Sequence, residues 1–118
     1  MTEPVGDAPL RIVLTIHHFL DRATGAPGIT LALAEEYARL GHEVAVIGFD
    51  GLHLRDERLC RIAFPAYVAA RLRALQRTAP LDVVDASSGD AAVWCLTRAH
   101  GRRPLLVVRS HGLEHPTF

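Results

Sequence analysis

The stretch Arg11-Ile12-Val13-Leu14-Thr15-Ile16 decides the fold. It is a short, mostly β-branched apolar run with no polar alternation, which is how a strand covered on both faces of a parallel sheet reads. Three more runs of this kind follow at helix-sized intervals: Val44-Ala45-Val46-Ile47-Gly48-Phe49, Asp82-Val83-Val84-Asp85-Ala86 and Leu105-Leu106-Val107-Val108. A weaker candidate, Leu59-Cys60-Arg61-Ile62-Ala63, lies between the second and third.

The intervening segments read as helices and turns. Residues 1–9 form a flexible lead-in, and one domain is expected over 10–118. Leu20 to Gly28 reads as a loop containing Gly25, Pro27 and Gly28. Ile29, Leu33, Tyr37 and Leu40 then recur at helical spacing and are expected to share a buried face. Gly41 stands where a left-handed cap ends that helix. Asp56-Glu57-Arg58 reads as a turn, and Pro65 as the opening of a second helix with Val68, Leu72 and Leu75 inward. Arg71, Arg73 and Arg77 fall on its solvated face, and Pro80 closes it. A third helix is expected over 90–100, with Ala91, Trp94 and Leu96 in the core.

Strand and helix alternating in this way call for an α/β fold, a Rossmann-like doubly wound parallel sheet with helices on both faces. With five strands the economical order is 3-2-1-4-5. The winding then reverses between the first strand and the strand at 82–86, and ligands of such sheets bind beyond the strands' carboxyl ends at that point. The segments placed there are 17–28, 87–90 and 109–115.

Composition narrows the function. The chain has 118 residues and 12.9 kDa, 49% of them hydrophobic and 22% charged, with mean hydropathy +0.16, so it is filled like a small globular domain. All 13 basic residues are arginine. Without lysine there is no phosphate-binding Walker loop and no Schiff-base chemistry. Net charge is +0 and pI about 7.1, so no field favours nucleic acid as a partner. Cys60 and Cys95 sit in apolar surroundings without metal-like spacing and read as two buried thiols. With an acidic N-terminus unlike a signal peptide, a cytoplasmic protein is expected.

Several residues at the strand ends carry chemistry. Gly25 and Gly28 lead into a helix whose N-terminal N–H groups can receive a phosphate or sugar oxygen, although glycines there also serve simple turns. The dinucleotide pattern G-x-G-x-x-G is missing, so Asp50 alone argues little for NAD. His111, beside Gly112, can donate to a sugar hydroxyl or act as acid or base. Glu114 reads either as an acceptor-side ligand or as a surface acid. Ser87 and Ser88 can hydrogen-bond a ligand or cap the next helix, and no Gly-x-Ser-x-Gly elbow surrounds them. His111 and His115 are four apart, but Gly112 and Pro116 oppose a helix there. His17 and His18, as neighbours on a strand, would face opposite ways, so no metal site is expected.

Leu31-Ala32-Leu33-Ala34, Leu40-Gly41-His42-Glu43-Val44, Leu81-Asp82-Val83-Val84-Asp85-Ala86 and Val108-Arg109-Ser110-His111-Gly112-Leu113-Glu114 together resemble the N-terminal domain of glycosyltransferase family 4. The resemblance covers residues 10–115. It implies the GT-B architecture, two Rossmann-like domains with an N-terminal acceptor side and a C-terminal nucleotide-sugar side. It also implies retaining transfer of a hexosyl group without bound metal or cofactor, the nucleotide-sugar being a co-substrate. By resemblance, Gly25 and Gly28 match the loop near donor phosphates and acceptor, His111 the histidine that contacts the transferred sugar, and Ser87, Gly112 and Glu114 lie beside them. Ala26-Pro27 separates the glycines that the family usually keeps adjacent. The paired-glutamate donor domain has no counterpart in the 118 residues, so the chain is expected to be an acceptor-side fragment, inactive alone, with a donor domain in trans as one partner. An acceptor held at a membrane surface is among those open. The rival expectations are a non-catalytic interaction module, self-associating through the apolar edge 105–108, and a small dinucleotide-binding protein.

Overall fold

The computed structural model describes residues 8–21, 25–97 and 104–109. Its elements run β1 (Arg11–Thr15), α1 (Gly25–Arg39), β2 (Glu43–Ile47), a 3-10 turn (Phe49–Leu52), α2 (Glu57–Thr78), β3 (Val83–Ser87), α3 (Ala92–Thr97) and β4 (Leu105–Arg109). The four strands form one all-parallel sheet in the order β2-β1-β3-β4. Val13 lies opposite Ala45 on one side and Val84 on the other. The winding therefore reverses between β1 and β3, the two strands expected to flank that point.

The expected five-strand order 3-2-1-4-5 is corrected, because residues 59–63 are helical. Alternation suggested a strand there, but Cys60, Phe64, Val68 and Leu72 recur every four residues and all are buried on one face of α2. The helix starts earlier than Pro65. Asp56, read as part of a turn, is its N-cap, with Oδ1 accepting from the Arg58 N–H at 2.9 Å. Pro65 then lies inside the helix.

Alternation along the strands splits the core between the two faces. Val13, Ile47, Val84 and Ala86 pack with Phe64, Val68 and Leu72 of α2 and with Trp94 of α3. Ile12 and Leu14 pack on the other face with Ala34, Leu33 and Tyr37 of α1. Within α1 the buried stripe is Pro27, Thr30 and Ala34. Ile29 and Leu40 are exposed, which corrects the expected stripe, because small Thr30 and Ala34 allow the helix to lie close on the sheet. Gly41 takes φ +99°, the left-handed cap expected of it. Leu96 and Cys95 are also exposed, against expectation, since α3 turns only Trp94 fully inward. Cys60 is buried, and that burial, with the charges of Asp56 and Glu57, pushes its thiol pKa up.

One cation fastens the amino ends of the strands. Arg11 Nη1 donates to the Leu75 carbonyl at 2.9 Å and to that of Ala79, and Nη2 donates to Thr78 Oγ1 at 2.9 Å. It thus adds a donor to carbonyls at the end of α2 and places positive charge at the negative end of the helix dipole. No described helix is long and apolar enough to cross a membrane.

Candidate functional site

The carboxyl ends of β1, β3 and β4 converge, and two polar clusters hold them. On the α1 face, Arg109 at the end of β4 reaches back across the sheet. Its Nε donates to Asp85 Oδ1, Nη1 to Thr30 Oγ1 at 3.1 Å, and Nη2 to the carbonyls of Thr15 at 2.7 Å and Asp85 at 3.1 Å. The Arg109 and Asp85 side chains are 16% and 7% exposed, so this is a buried ion pair with its remaining hydrogen-bonding groups largely engaged. It ties three strands and α1 into one rigid rim.

On the opposite face the cluster is Thr15, His17 and Asp90. Thr15 Oγ1 donates to Asp90 Oδ2 at 2.7 Å and accepts the Ser87 N–H at 3.1 Å. The other carboxylate oxygen, Oδ1, lies 3.0 Å from His17 Nδ1. An ionised carboxylate can only accept, so Nδ1 carries the hydrogen and Nε2 is the nitrogen left for other contacts. Asp90 is brought there by the turn after β3. Ser88 sits at φ +49°, a left-handed conformation unfavourable for a side chain, and its N–H donates to the Arg109 carbonyl at 2.7 Å.

Two clefts open at this end and share the His17-His18 dipeptide. A cleft of about 270 Å³ is lined by His17, Arg61, Phe64, Pro65, Ser88, Gly89 and Asp90. Another, of about 340 Å³, is lined by His18, Phe19, Asp21, Gly25, Ala26, Pro27 and Glu57. The expectation that His17 and His18 face opposite ways is corrected. They lie past the strand end, where the chain is no longer pleated, and their rings stack at 4.9 Å between centroids. Burial, then the neighbouring charges of His17 and Arg61, push the His18 pKa below its ordinary value, against opposing pulls from Glu57 and Asp90. His18 is therefore neutral at pH 7.

The residues singled out from sequence fall in different places. Gly25 and Gly28 lie in α1 rather than in a preceding loop: Gly25 is its first residue and Gly28 its fourth. Pro27 has no N–H, so Gly25 and Ala26 carry the first-turn N–H groups without helical acceptors. Both line the larger cleft. Ser87 ends β3 and is fully buried; among the described residues its Oγ has no hydrogen-bond partner, so it does not cap α3. His111, Gly112, Glu114 and His115 lie outside the described residues, as do the lead-in 1–7 and the segment 98–103. Sequence reading missed the roles of Thr15, His17, Asp90 and the Arg109–Asp85 pair. The available signals were a threonine and a histidine at the end of an otherwise apolar strand and an acid closing Ser87-Ser88-Gly89-Asp90. Among the described residues no group of three or more histidine, cysteine or acidic side chains is placed to hold a metal ion.

A scan against protein-family models, a search of curated proteins and a search of solved structures each found no match to this chain.

Proposed function

We propose that the chain is the acceptor-side domain of a glycosyltransferase of the family 4 kind, in which a hexosyl group passes from a nucleotide-sugar to a hydroxyl-bearing acceptor. The observation that carries the reading is the pair of clefts at the carboxyl ends of β1 and β3, where the sheet's winding reverses. Gly25 and Ala26 offer N–H groups to an oxygen-rich ligand there, with Gly28 one turn behind and Ser87 in the rim below. His111, Gly112 and Glu114 follow β4 in sequence and are assigned by resemblance. No cofactor or metal enters the reading, and nucleic acid has no place in it.

The paired-glutamate motif that the resemblance gives to the donor domain has no match in these 118 positions. The reading is therefore binding of the acceptor, with the reaction completed by a donor-binding domain, in trans where necessary. Purified chain incubated with UDP-glucose or GDP-mannose and free sugars is expected to give no product. Measurable transfer by the chain alone overturns the acceptor-side assignment. Saturable binding of NADH, followed by its fluorescence, favours the dinucleotide-binding alternative instead.

A second reading, an interaction module, is favoured by β4. Leu105, Val107 and Val108 are exposed on this edge strand. An apolar edge of this kind pairs readily with another strand, here that of a second copy.

A further inference from the structure

We infer that His17 and Asp90 form a hydroxyl-binding dyad, with His17 Nε2 accepting from a hydroxyl of a neutral pyranose-type ring seated in the cleft between β1 and α2. The inference deepens the functional reading by naming where a sugar hydroxyl docks, and it rests on that reading only for which molecule arrives. The geometry stands by itself.

Asp90 is nearly enclosed, its side chain 6% exposed, and both its oxygens are engaged, Oδ2 by Thr15 and Oδ1 by His17. A carboxylate held this way fixes the ring of the histidine it faces, selects the tautomer with hydrogen on Nδ1, and makes Nε2 a better acceptor. The His17 side chain is 33% exposed and lines the cleft, so the dyad is buried at its acid and open at its imidazole. A purely structural Asp–His pair has no need of that asymmetry.

The remaining lining selects the ligand class. Half-buried Pro65, with core residue Phe64 behind it, supplies an apolar surface of the kind the C–H face of a sugar ring packs against. Ser88 and Gly89 add a hydroxyl and a backbone to the lining. Arg61 is engaged by Glu57, Nη2 to Oε2 3.4 Å, and Asp90 carries the opposite charge, so the cleft offers no unbalanced cation to an anion. Pro65 also leaves the Arg61 carbonyl without its i+4 helical donor.

The test is histidine-detected NMR of the whole chain, with methyl α-D-glucopyranoside as probe. In the free protein the His17 ring nitrogens should report hydrogen on Nδ1 and a bare Nε2. On titration the Nε2 shift and the adjacent ring proton should move saturably; Asp90→Asn, read on that ring, and His17→Gln, read on the backbone amides of 87–90, should each weaken binding of the glucoside at least tenfold. Because Asp90 is buried, Asp90→Asn is read only if its amide spectrum stays folded, while His17→Gln, at the surface of the cleft, serves in either case. A His17 ring with hydrogen on Nε2, or one that the glucoside leaves unmoved, overturns the dyad. If the probe instead moves amides of 25–28 alone, the dyad fails and the acceptor-side reading stands. If His17 responds but nucleotide-sugars are never used with any donor domain supplied, the dyad stands and that reading fails.

Discussion

Arg109 donates to the carbonyl of Thr15 at 2.7 Å, joining residues 94 apart in sequence across an intervening strand. The same guanidinium is paired with buried Asp85. A buried pair contributes little beyond a well-packed apolar replacement, but removing one partner leaves an uncompensated charge. Arg109→Ala is expected to destabilise the fold by about 3–5 kcal/mol, as is Asp85→Ala on the same grounds. The Arg109→Ala, Asp85→Ala double variant should lose less than the sum of the single changes, because neither charge remains unpaired. Urea unfolding of the four proteins checks this, and additive losses would show that the pair is not coupled.

Ser87 presents the opposite case. Its Oγ is buried without a partner, which costs about 1–3 kcal/mol relative to a satisfied hydroxyl. Ser87→Ala removes that group at nearly constant shape and should stabilise the domain by about 1 kcal/mol in thermal or urea unfolding. Loss of stability on this substitution would mean that the hydroxyl is hydrogen-bonded in solution.

The stacked histidines make stability depend on pH. His18 has its pKa lowered in the fold, by burial first and by His17 and Arg61 next, with Glu57 and Asp90 pulling the other way. The unfolded chain takes up the proton first, at the ordinary value of 6.5, so stability falls as pH drops through 6.5. The fall levels off once the folded His18 also titrates. His18→Phe keeps a ring against His17 and Phe49 and removes the titration. Its melting temperature should decline less steeply with acidification than that of the parent, and equal slopes would dismiss His18 as the cause.

The bare edge of β4 predicts association. Leu105 and Val108 are 60% and 56% exposed, on opposite faces of the strand. Sedimentation over a range of concentrations should show self-association, and Val108→Arg should reduce it by placing charge on the edge. A monodisperse monomer at every concentration contradicts the pairing.

The parallel sheet was legible because its strands are unbroken apolar runs, and the reversal between β1 and β3 follows from their order. Gly41 was legible for a local reason: only a left-handed cap explains a glycine where the apolar period stops. Leu59–Ala63 misled because five residues fit both periods, and only Phe64 and, beyond Pro65, Val68 and Leu72 reveal the longer helix. Proline inside a helix is costly enough to hide the true start. The Thr15–Asp90–His17 cluster was not legible at all. It depends on a turn with Ser88 in a left-handed conformation, which brings an acid from one segment back to the end of another, 75 residues away from Thr15.

The central claim is that ligand binds at the carboxyl ends of β1 and β3, and mapping backbone amide shifts while titrating the whole chain with methyl α-D-glucopyranoside tests it most directly. The account predicts saturable shifts confined to residues 17–21, 25–28 and 87–90. Shifts confined to the amino ends of the strands, around 40–43 and 78–82, or no shifts at any concentration, would contradict it.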